Sequence, residues 1–351
     1  MSELIRFLEQ AVSDQASDLF LVAGGPVSVK QEGRIRSLGE TKLLPADTQA
    51  YINEIYSMAG RSMDSYINTG DDDFSFSVPG LARFRVNAYR QRNSMAVVVR
   101  IVSFDIPNWE EIHIPPHVMD IADTKHGMIL VTGTAGSGKS TTQACIIDRI
   151  NRTRDCHIIT LEDPIEFLHR NQRSIVSQRE IAIDTADYLS ALRACLRQAP
   201  DVILLGEMRD PETIRTAITA AETGHTVIAT LHTNGAVNAV DRIIDSFPSS
   251  SQAQIRIQLA TVLDTVISQQ MMPDVNGNMV PAFEIMHINS AIRGMIRDNK
   301  NHQIDNAIVA GKSEGMVSMD QSILALYRSG KITRETALHH ADHPEQLQRQ
   351  L

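Results

Sequence analysis

Apolar and polar positions follow two different patterns along this chain, and the change falls near residue 127. Before it, Phe74–Val78 and Ala82–Tyr89 alternate apolar and polar residues with a period of two, which predicts half-buried β-strands. Residues 3–16 and Thr48–Met58 carry apolar side chains at helical spacing, which predicts two amphipathic helices. Gly39 is predicted to mark a turn. The first part is therefore predicted to be a mixed α+β domain.

After residue 127, short apolar runs alternate with segments of helical periodicity. The predicted buried strands are Met128–Val131, His157–Leu161, Val202–Leu205 and Thr226–Leu231. The predicted helices between them are Lys139–Asn151, Ala186–Gln198, Glu212–Glu222 and Ala236–Asp245. Buried strands that alternate with helices predict a parallel sheet with crossover connections, so the fold class is α/β.

Length and composition limit the class of protein. A chain of 351 residues is long enough for two domains, and we predict boundaries at 1–102, a linker at 103–112 and 113–351. The net charge of -9 argues against a nucleic-acid binder. The three cysteines are too widely spaced for a zinc module, and no membrane span or secretory signal is recognised. A cytoplasmic protein is expected.

One stretch carries a phosphate-binding pattern, G-x-x-x-x-G-K-[ST], between an apolar strand and a helix. Backbone N–H groups of such a loop face phosphate oxygens, the lysine adds a positive charge, and the hydroxyl is offered to Mg²⁺. The alternative is an accidental glycine-rich turn, which has a probability of roughly one per cent in a chain of this length. The predicted nucleotide-binding residues are Gly133, Thr134, Ala135, Gly136, Ser137, Gly138, Lys139, Ser140 and Thr141.

Acidic residues follow two of the predicted strands, where a parallel sheet presents its ligands. The strand Val202–Leu205 ends in Gly206-Glu207, so the first acid of the usual Asp-Glu pair is missing and Glu207 remains to polarise water. Glu162 and Asp163 follow another strand and are candidates, with Ser140, to hold Mg²⁺. The alternatives are an exposed loop acid at Glu207 and an acidic turn at Glu162-Asp163.

Two histidines and two arginines complete the set of candidates. His232 follows the strand Thr226–Leu231 on the same edge as the acids, whereas His225 precedes that strand and could act only across a subunit boundary. Local hydrogen bonding is the alternative for both. Arg85 and Arg100 are candidates for arginine fingers that reach a neighbour's nucleotide. A solvated basic face or a salt-bridged hairpin is the alternative.

Four motifs in fixed order resemble the secretion-type hexameric ATPases, and within them the pilus retraction ATPases. The resemblance covers nearly the whole chain. In that family these motifs are the phosphate loop, the aspartate box, the Walker B element and the histidine box. They correspond here to Gly133–Ser140, Thr160–Phe167, Gly206–Asp210 and Gly224–Asn234.

The resemblance implies a PAS-like amino-terminal domain joined to a RecA-like ATPase domain with carboxy-terminal helices. It also implies a homo-hexamer with ATP and Mg²⁺ between domains, at the cytoplasmic face of the inner membrane. On that basis Glu207 is the catalytic glutamate, Glu162 and Asp163 are metal-side acids, and His225 and His232 are nucleotide or interface sensors. Arg85 and Arg100 are the finger candidates.

The function implied is an ATP-hydrolysing motor for type IV pilus retraction and twitching motility. Its partners would be a pilus platform protein of the inner membrane and, indirectly, pilin. An accessory retraction paralogue and a pilus-assembly or type II secretion ATPase are alternatives within the family. A nucleic-acid translocase on a RecA core is an alternative from another class, disfavoured by the acidic charge. A non-hydrolysing scaffold is disfavoured because Lys139, Ser140 and Glu207 are retained.

Overall fold

The computed structural model describes residues 2–31, 33–102 and 105–351. The chain divides into two units, which are Met1–Asp105 with Ile165–Leu168, and Ile106–Pro164 with His169–Leu351. The domain boundaries given above remain predictions. Ser103 and Phe104, which begin the predicted linker, lie outside the described residues.

In its described residues, the first unit contains one antiparallel sheet and three helices. Its sheet has the strand order β3-β2-β1-β6-β5-β4. The strands are β1 (Asp18–Val22), β2 (Pro26–Gln31), β3 (Arg34–Lys42), β4 (Asp71–Val78), β5 (Ala82–Gln91) and β6 (Ser94–Val102). The helices are α1 (Glu3–Ser13), α2 (Pro45–Ala59) and α3 (Asp64–Thr69).

The core of this unit forms where the helices cover one face of the sheet. Leu4 and Leu8 of α1 and Ile52 and Ile55 of α2 are fully buried. They pack with alternate residues of the strands, such as Phe84, as expected for a sheet with one buried face. This one-sided burial explains why apolar and polar residues alternate along the strands.

The second unit is built on a seven-stranded sheet with helices between its strands. The strands are β7 (Gly127–Thr132), β8 (His157–Glu162), β9 (Ile175–Glu180), β10 (Val202–Leu205), β11 (Thr226–Leu231), β12 (Leu263–Pro273) and β13 (Met279–His287). The helices are α4 (Pro116–Met119), α5 (Lys139–Thr153), α6 (Tyr188–Cys195), α7 (Pro211–Glu222), α8 (Ala236–Asp245), α9 (Ser249–Val262), α10 (Ser290–Arg297), α11 (Ile304–Ala310), α12 (Met319–Arg328), α13 (Arg334–His340) and α14 (Pro344–Gln348).

The strand order of this sheet is β13-β12-β7-β11-β10-β8-β9. All neighbouring pairs are parallel except β12 with β13, which form an antiparallel hairpin. Every residue of β7, β10 and β11 is buried, because helices cover both faces of the sheet. The predicted α/β fold class, with a smaller α+β unit before it, is confirmed.

Strands β3 and β9 show no clear strand pattern in the sequence and were not predicted, and both lie at sheet edges. β3 is exposed along almost its whole length, so its sequence lacks an apolar periodicity. β9 is only half-buried beside β8. The prediction of a turn at Gly39 is wrong, because Gly39 lies within β3. Edge strands with one neighbour bury few side chains, so hydrophobic pattern alone identifies them poorly.

Candidate active site

The loop between β7 and α5 has the backbone conformation that the phosphate-binding pattern requires. Gly133, Gly136 and Gly138 have φ angles of 145°, 79° and 86°, values that residues with a side chain rarely adopt. Helix α5 begins directly after Gly138, at Lys139. Thr134 and Ala135 are exposed at the tip of the loop. The loop therefore places backbone N–H groups at a helix amino terminus, which favours a bound anion.

The loop packs closely on β12 through Gln269. A Cβ atom at Gly133 would lie 2.3 Å from the backbone oxygen of Gln269, and one at Gly138 would lie 2.7 Å from its side-chain Nε2. The Oε1 atom of Gln269 accepts a hydrogen bond of 2.8 Å from the hydroxyl of Thr142 on α5. Gln269 thus supports the loop from the neighbouring strand. Gln269 was not among the predicted site residues, because no local motif marks a contact this distant along the chain.

Lys139 is buried, with 8% of its surface exposed. Its ammonium group donates hydrogen bonds of 2.9 Å and 2.7 Å to the backbone oxygens of Gly133 and Thr134. Burial lowers the pKa of Lys139, since the charged form is desolvated. Within the described residues, the buried hydroxyl of Ser137 has no hydrogen-bond partner. A phosphate group bound in the loop would supply an anion for the Lys139 ammonium group and a hydrogen-bond acceptor for the Ser137 hydroxyl.

The other candidates are distributed along the same edge of the sheet. The neighbouring strands β7, β11, β10 and β8 run parallel, so their carboxyl ends lie side by side. The phosphate loop follows β7, His232 follows β11, Glu207 follows β10 and Glu162 ends β8. Chemistry-bearing residues from four strands are thereby collected at one edge.

Glu207 is the most enclosed carboxylate of this group, with 8% of its surface exposed. Its Oε1 atom lies 2.7 Å from Nε of Arg209, and its Oε2 atom lies 3.4 Å from Nε2 of His232. Both partners are largely exposed, at 76% and 54% of their side chains. The structure thus brings Glu207 and His232 together. Arg209 was not among the predicted site residues, although it lies in the same short motif.

The missing acid at position 206 has a steric explanation. A Cβ atom at Gly206 would lie 2.9 Å from the hydroxyl oxygen of Tyr188 and 3.0 Å from the backbone oxygen of Leu161. The backbone N–H of Gly206 donates a 2.8 Å hydrogen bond to that same oxygen, which fixes it in place. The Tyr188 hydroxyl therefore occupies the space that a side chain at position 206 would need.

We expect Gly206→Ala to lower the free energy of unfolding by about 1–3 kcal/mol, the usual range for overpacking a tightly filled site. Adding Tyr188→Phe should recover part of the lost stability, because it removes the hydroxyl oxygen that lies 2.9 Å from the added Cβ atom. Urea unfolding of the single and double variants measures both effects. Gly39→Ala, where an added Cβ meets no atom within 4 Å, is the control. Equal effects at positions 206 and 39 would contradict the steric explanation.

Glu162 and Asp163 lie near this same tyrosine. Glu162 Oε1 accepts hydrogen bonds of 2.5 Å from the Thr160 hydroxyl and 3.2 Å from the Gln178 amide. Burial raises the pKa of Tyr188, and the negative charges of Glu207, Asp163 and Glu162 raise it further. The negative charges of three carboxylates therefore act on one hydroxyl.

The fit of Mg²⁺ can be judged from the chemistry of these donors. Among the described residues, no three or more histidine, cysteine or acidic side chains cluster so that they could hold a metal ion by themselves. Glu162, Asp163 and the exposed hydroxyl of Ser140 offer oxygen atoms only. Mg²⁺ in phosphoryl-transfer enzymes is bound by one or two carboxylates together with substrate phosphates, so this donor set fits it.

The structure places His225 away from the other candidates. It precedes β11, whereas His232 follows it, and a strand of that length separates them by roughly 20 Å. His225 Nδ1 lies 2.9 Å from the backbone oxygen of Ala220 and 3.2 Å from the Thr223 hydroxyl. The side chain of His225 thus makes local contacts at the end of α7.

Arg85 and Arg100 face each other across β5 and β6 in the first unit. Arg100 Nε lies 3.0 Å from Oδ1 of the buried Asp18, while its own side chain is 61% exposed. Arg100 therefore forms an ion pair between the neighbouring strands β6 and β1, which is not an ion pair within the β5–β6 hairpin. A role of either arginine in a neighbour's site stays a prediction.

A cavity of 570 Å³ adjoins the phosphate loop within the second unit. Its walls include Gly138, Thr141 and Met271, together with Ile112 and the turn that joins β12 to β13. Its volume is within the range typical of small-molecule sites. Thr141 thus faces a space large enough for the nucleoside portion of a nucleotide.

Comparison with known proteins identifies the family. The family described as type II/IV secretion system protein matches residues 2–279 of this chain. The chain belongs to this family. The type IV pilus retraction ATPase PilT of Pseudomonas aeruginosa is 42% identical over 346 residues, 98% of this chain and 99% of that protein. A twitching motility protein of Neisseria gonorrhoeae is 47% identical over 276 residues, 78% of this chain and 74% of that one.

A solved structure gives the same result for this member of the type II/IV secretion family. The pilus retraction motor PilT with bound ADP superposes with a TM-score of 0.90 at 42% identity, covering 99% of each chain. The predicted enzyme class, a P-loop ATPase, is confirmed by these relatives. The roles of individual residues in this family member remain predictions that rest on the geometry described above.

Proposed function

We propose that this protein is an ATP-driven motor that retracts type IV pili by removing pilin from the pilus base, which powers twitching motility. The observation that carries the proposal is the arrangement at the sheet edge. The buried Lys139 of the phosphate loop and the enclosed Glu207, paired with His232, lie on neighbouring strand ends of a chain 42% identical to PilT. A triphosphate-binding loop beside a shielded carboxylate is the minimum that ATP hydrolysis requires.

The residues divide the chemistry between binding and activation of water. The loop amides and Lys139 hold the β- and γ-phosphates, and the hydroxyl of Ser137 donates to a phosphate oxygen. Glu207 accepts a hydrogen bond from the attacking water and orients it in line with the γ-phosphate. His232, close to Glu207, contacts the γ-phosphate and holds that carboxylate in position. The cavity beside Gly138 and Thr141 takes the ribose and base.

Mg²⁺ would be held by Ser140, Glu162 and Asp163. When bound, it neutralises charge that develops on the phosphate oxygens. The chain's own contribution is to orient these donors, since Thr160 and Gln178 fix the Glu162 carboxylate through hydrogen bonds.

The working form is a ring of six subunits in which each site is completed by a neighbour. Arg85 and Arg100 are the candidates to reach a nucleotide of another subunit, and His225 acts at a subunit boundary. The ring docks at the cytoplasmic face of the inner membrane on a pilus platform protein. In the part of the chain that the structure describes, all helices are too short or too polar to cross a bilayer.

We expect the purified protein to form hexamers in the presence of ATP, because the arginines that complete each site come from a neighbouring subunit. Light scattering coupled to size-exclusion chromatography, with and without nucleotide, measures this directly. A strictly monomeric protein that hydrolyses ATP at its full rate would contradict the shared site.

Deleting the gene tests the direction of the motor. If the protein drives retraction, cells keep their surface pili, often in greater number, and lose twitching. Loss of all pili would instead indicate an assembly ATPase, and loss of secretion a type II secretion ATPase. Retraction that persists at reduced force would indicate an accessory paralogue.

A further inference from the structure

Glu284 is a buried carboxylate outside the set of residues described above. It lies on β13 and is 6% exposed. Its Oε1 atom accepts a 2.6 Å hydrogen bond from the backbone N–H of Ala236, the first residue of α8. Met319, the first residue of α12, lies close enough for its backbone N–H to act on this carboxyl group and lower its pKa. One side chain therefore caps the amino end of α8 and lies near the amino end of α12, and a negative charge is favoured at both.

The amino end of α8 belongs to the loop that follows His232. Three neighbouring strands hold this loop by three separate contacts. On β7, the Thr132 hydroxyl donates to the backbone oxygen of Thr233, and the two hydroxyls lie 2.7 Å apart. On β12, the Ser268 hydroxyl accepts a 2.9 Å hydrogen bond from the N–H of Gly235. On β13, Glu284 accepts the hydrogen bond from Ala236 described above, which is the third contact that fixes the loop.

The amino end of α12 is joined to β13 on either side of Glu284. Ile285 and Val317 exchange backbone hydrogen bonds of 2.8 Å and 3.0 Å. The backbone N–H of Phe283 donates a 3.0 Å hydrogen bond to the hydroxyl of Ser322 in α12. The loop after His232 and the carboxy-terminal helices thus meet at a single carboxylate.

We propose that Glu284 is a positioning residue for ATP hydrolysis: its carboxylate caps the amino end of α8 and so holds the loop that keeps His232 beside Glu207. This inference rests on the proposed function. It goes further in linking the carboxy-terminal helices to the site, because the residues on either side of Glu284 in β13 are hydrogen-bonded to Val317 and to Ser322 at the start of α12. A shift of α12 changes the hydrogen bonding of Glu284 and with it the position of the loop.

The ionisation of Glu284 adds a pH dependence to this link. Burial raises its pKa to about 7, and the charges of Asp342 and Asp305 raise it as well, while the N–H groups of Ala236 and Met319 act in the opposite direction. The ionised carboxylate is the stronger acceptor for the N–H of Ala236 and the more favourable neighbour of the amino end of α12. Below neutral pH, protonation therefore weakens the hold on the loop.

Steady-state ATPase kinetics of Glu284→Gln test the positioning role, with Glu345→Gln on the exposed α14 as the matched control. Glutamine keeps the size of the side chain but lacks the charge and directs an NH₂ group at one of the two helices. We expect kcat to fall by about tenfold with KM changed less than about twofold, because loss of alignment affects the reacting step. The fall of wild-type kcat below pH 7 should be absent from the variant. Wild-type kcat and pH profile in Glu284→Gln would overturn the proposal.

The stability of the same variants separates positioning from a merely structural contribution. The pKa of Glu284 is raised from 4.5 to about 7 in the folded protein, so between those values the folded state binds a proton that the unfolded state does not. The free energy of unfolding therefore decreases as pH rises through this window, and this component disappears in Glu284→Gln. We expect the variant to be at least as stable as the wild type at pH 8. A variant that loses stability and activity in parallel at pH 8 would overturn the positioning role.

Hydrogen exchange of the wild-type protein provides a test that needs neither a folded variant nor turnover. After correction for the intrinsic pH dependence of exchange, amides at the start of α8 and α12 should be more protected at pH 8 than at pH 6. The end of α9, which Glu284 does not contact, serves as the internal reference. Equal corrected protection at both pH values would overturn the link. If ATPase activity is absent while the protection changes as expected, the proposed function fails and the link between the helices stands.

Discussion

Replacing Glu207 with glutamine is expected to lower the ATP turnover number by about a hundredfold or more, the usual contribution of a group that activates a nucleophile. Glutamine has nearly the same shape and can still accept a hydrogen bond from Arg209, so the enclosed site should remain folded. It cannot carry the negative charge that orients and polarises water. Phosphate release under saturating ATP measures the effect.

Nucleotide binding should survive this substitution, because Glu207 does not belong to the phosphate loop. Fluorescent ATP analogues measured by equilibrium titration should bind Glu207→Gln with an affinity within a few-fold of the wild type. Glu335→Gln on the exposed surface of α13 is the matched control, with wild-type turnover expected. Hydrolysis at the wild-type rate in Glu207→Gln would show that another residue activates the water.

Replacing Lys139 with alanine is expected to weaken ATP binding by roughly a hundredfold, since charge-assisted hydrogen bonds to the β- and γ-phosphates are lost. Lys139 is nine-tenths buried and its two hydrogen bonds in this structure go to backbone oxygens of the loop. Isothermal titration with ATP and ADP measures the loss, which should be larger for ATP because the γ-phosphate is the more dependent on this charge.

The stability of Lys139→Ala shows whether ATP binding is lost because the phosphate contact is gone or because the protein no longer folds. Burial already lowers the pKa of Lys139, so the free protein carries the cost of a desolvated cation there. We therefore expect the alanine variant to unfold at a temperature no lower than that of the wild type. Lys125→Ala, an exposed lysine before the other end of β7, should change neither binding nor stability. Unchanged ATP affinity in Lys139→Ala would exclude this loop as the nucleotide site.

The sequence was sufficient to predict the central strands, since their patterns are set by local burial. Val202–Leu205 is apolar throughout, and Thr226–Leu231 is apolar except for its two threonines, because helices cover both faces of the sheet. Both strands were predicted with the bounds that the structure has. Predictions failed where burial is one-sided or slight, as in β3 and β9. The helix predicted at Ala186–Gln198 is shorter, Tyr188–Cys195, because Asp187 caps its start by accepting from the N–H of Ser190.

The site was predictable only where function is concentrated in short motifs. Lys139, Glu207 and His232 were singled out because each lies in a run of residues next to an apolar strand, and their roles stay predictions. Gln269 and Tyr188 were missed, because their contacts with the loop and with Gly206 come from distant parts of the chain. Such residues carry no local signal, since an isolated glutamine or tyrosine in a sequence has no reason to be singled out.

The motor function itself is tested most directly by imaging labelled pili in cells whose only copy of the gene carries Glu207→Gln. If ATP hydrolysis by this protein drives retraction, pili in these cells should extend and remain extended. Retraction events should be nearly abolished while the variant protein is present at its normal level. Cells with the Glu335→Gln copy should retract their pili as the wild type does. Normal retraction in the Glu207→Gln strain would contradict the claim that ATP hydrolysis by this protein drives pilus retraction.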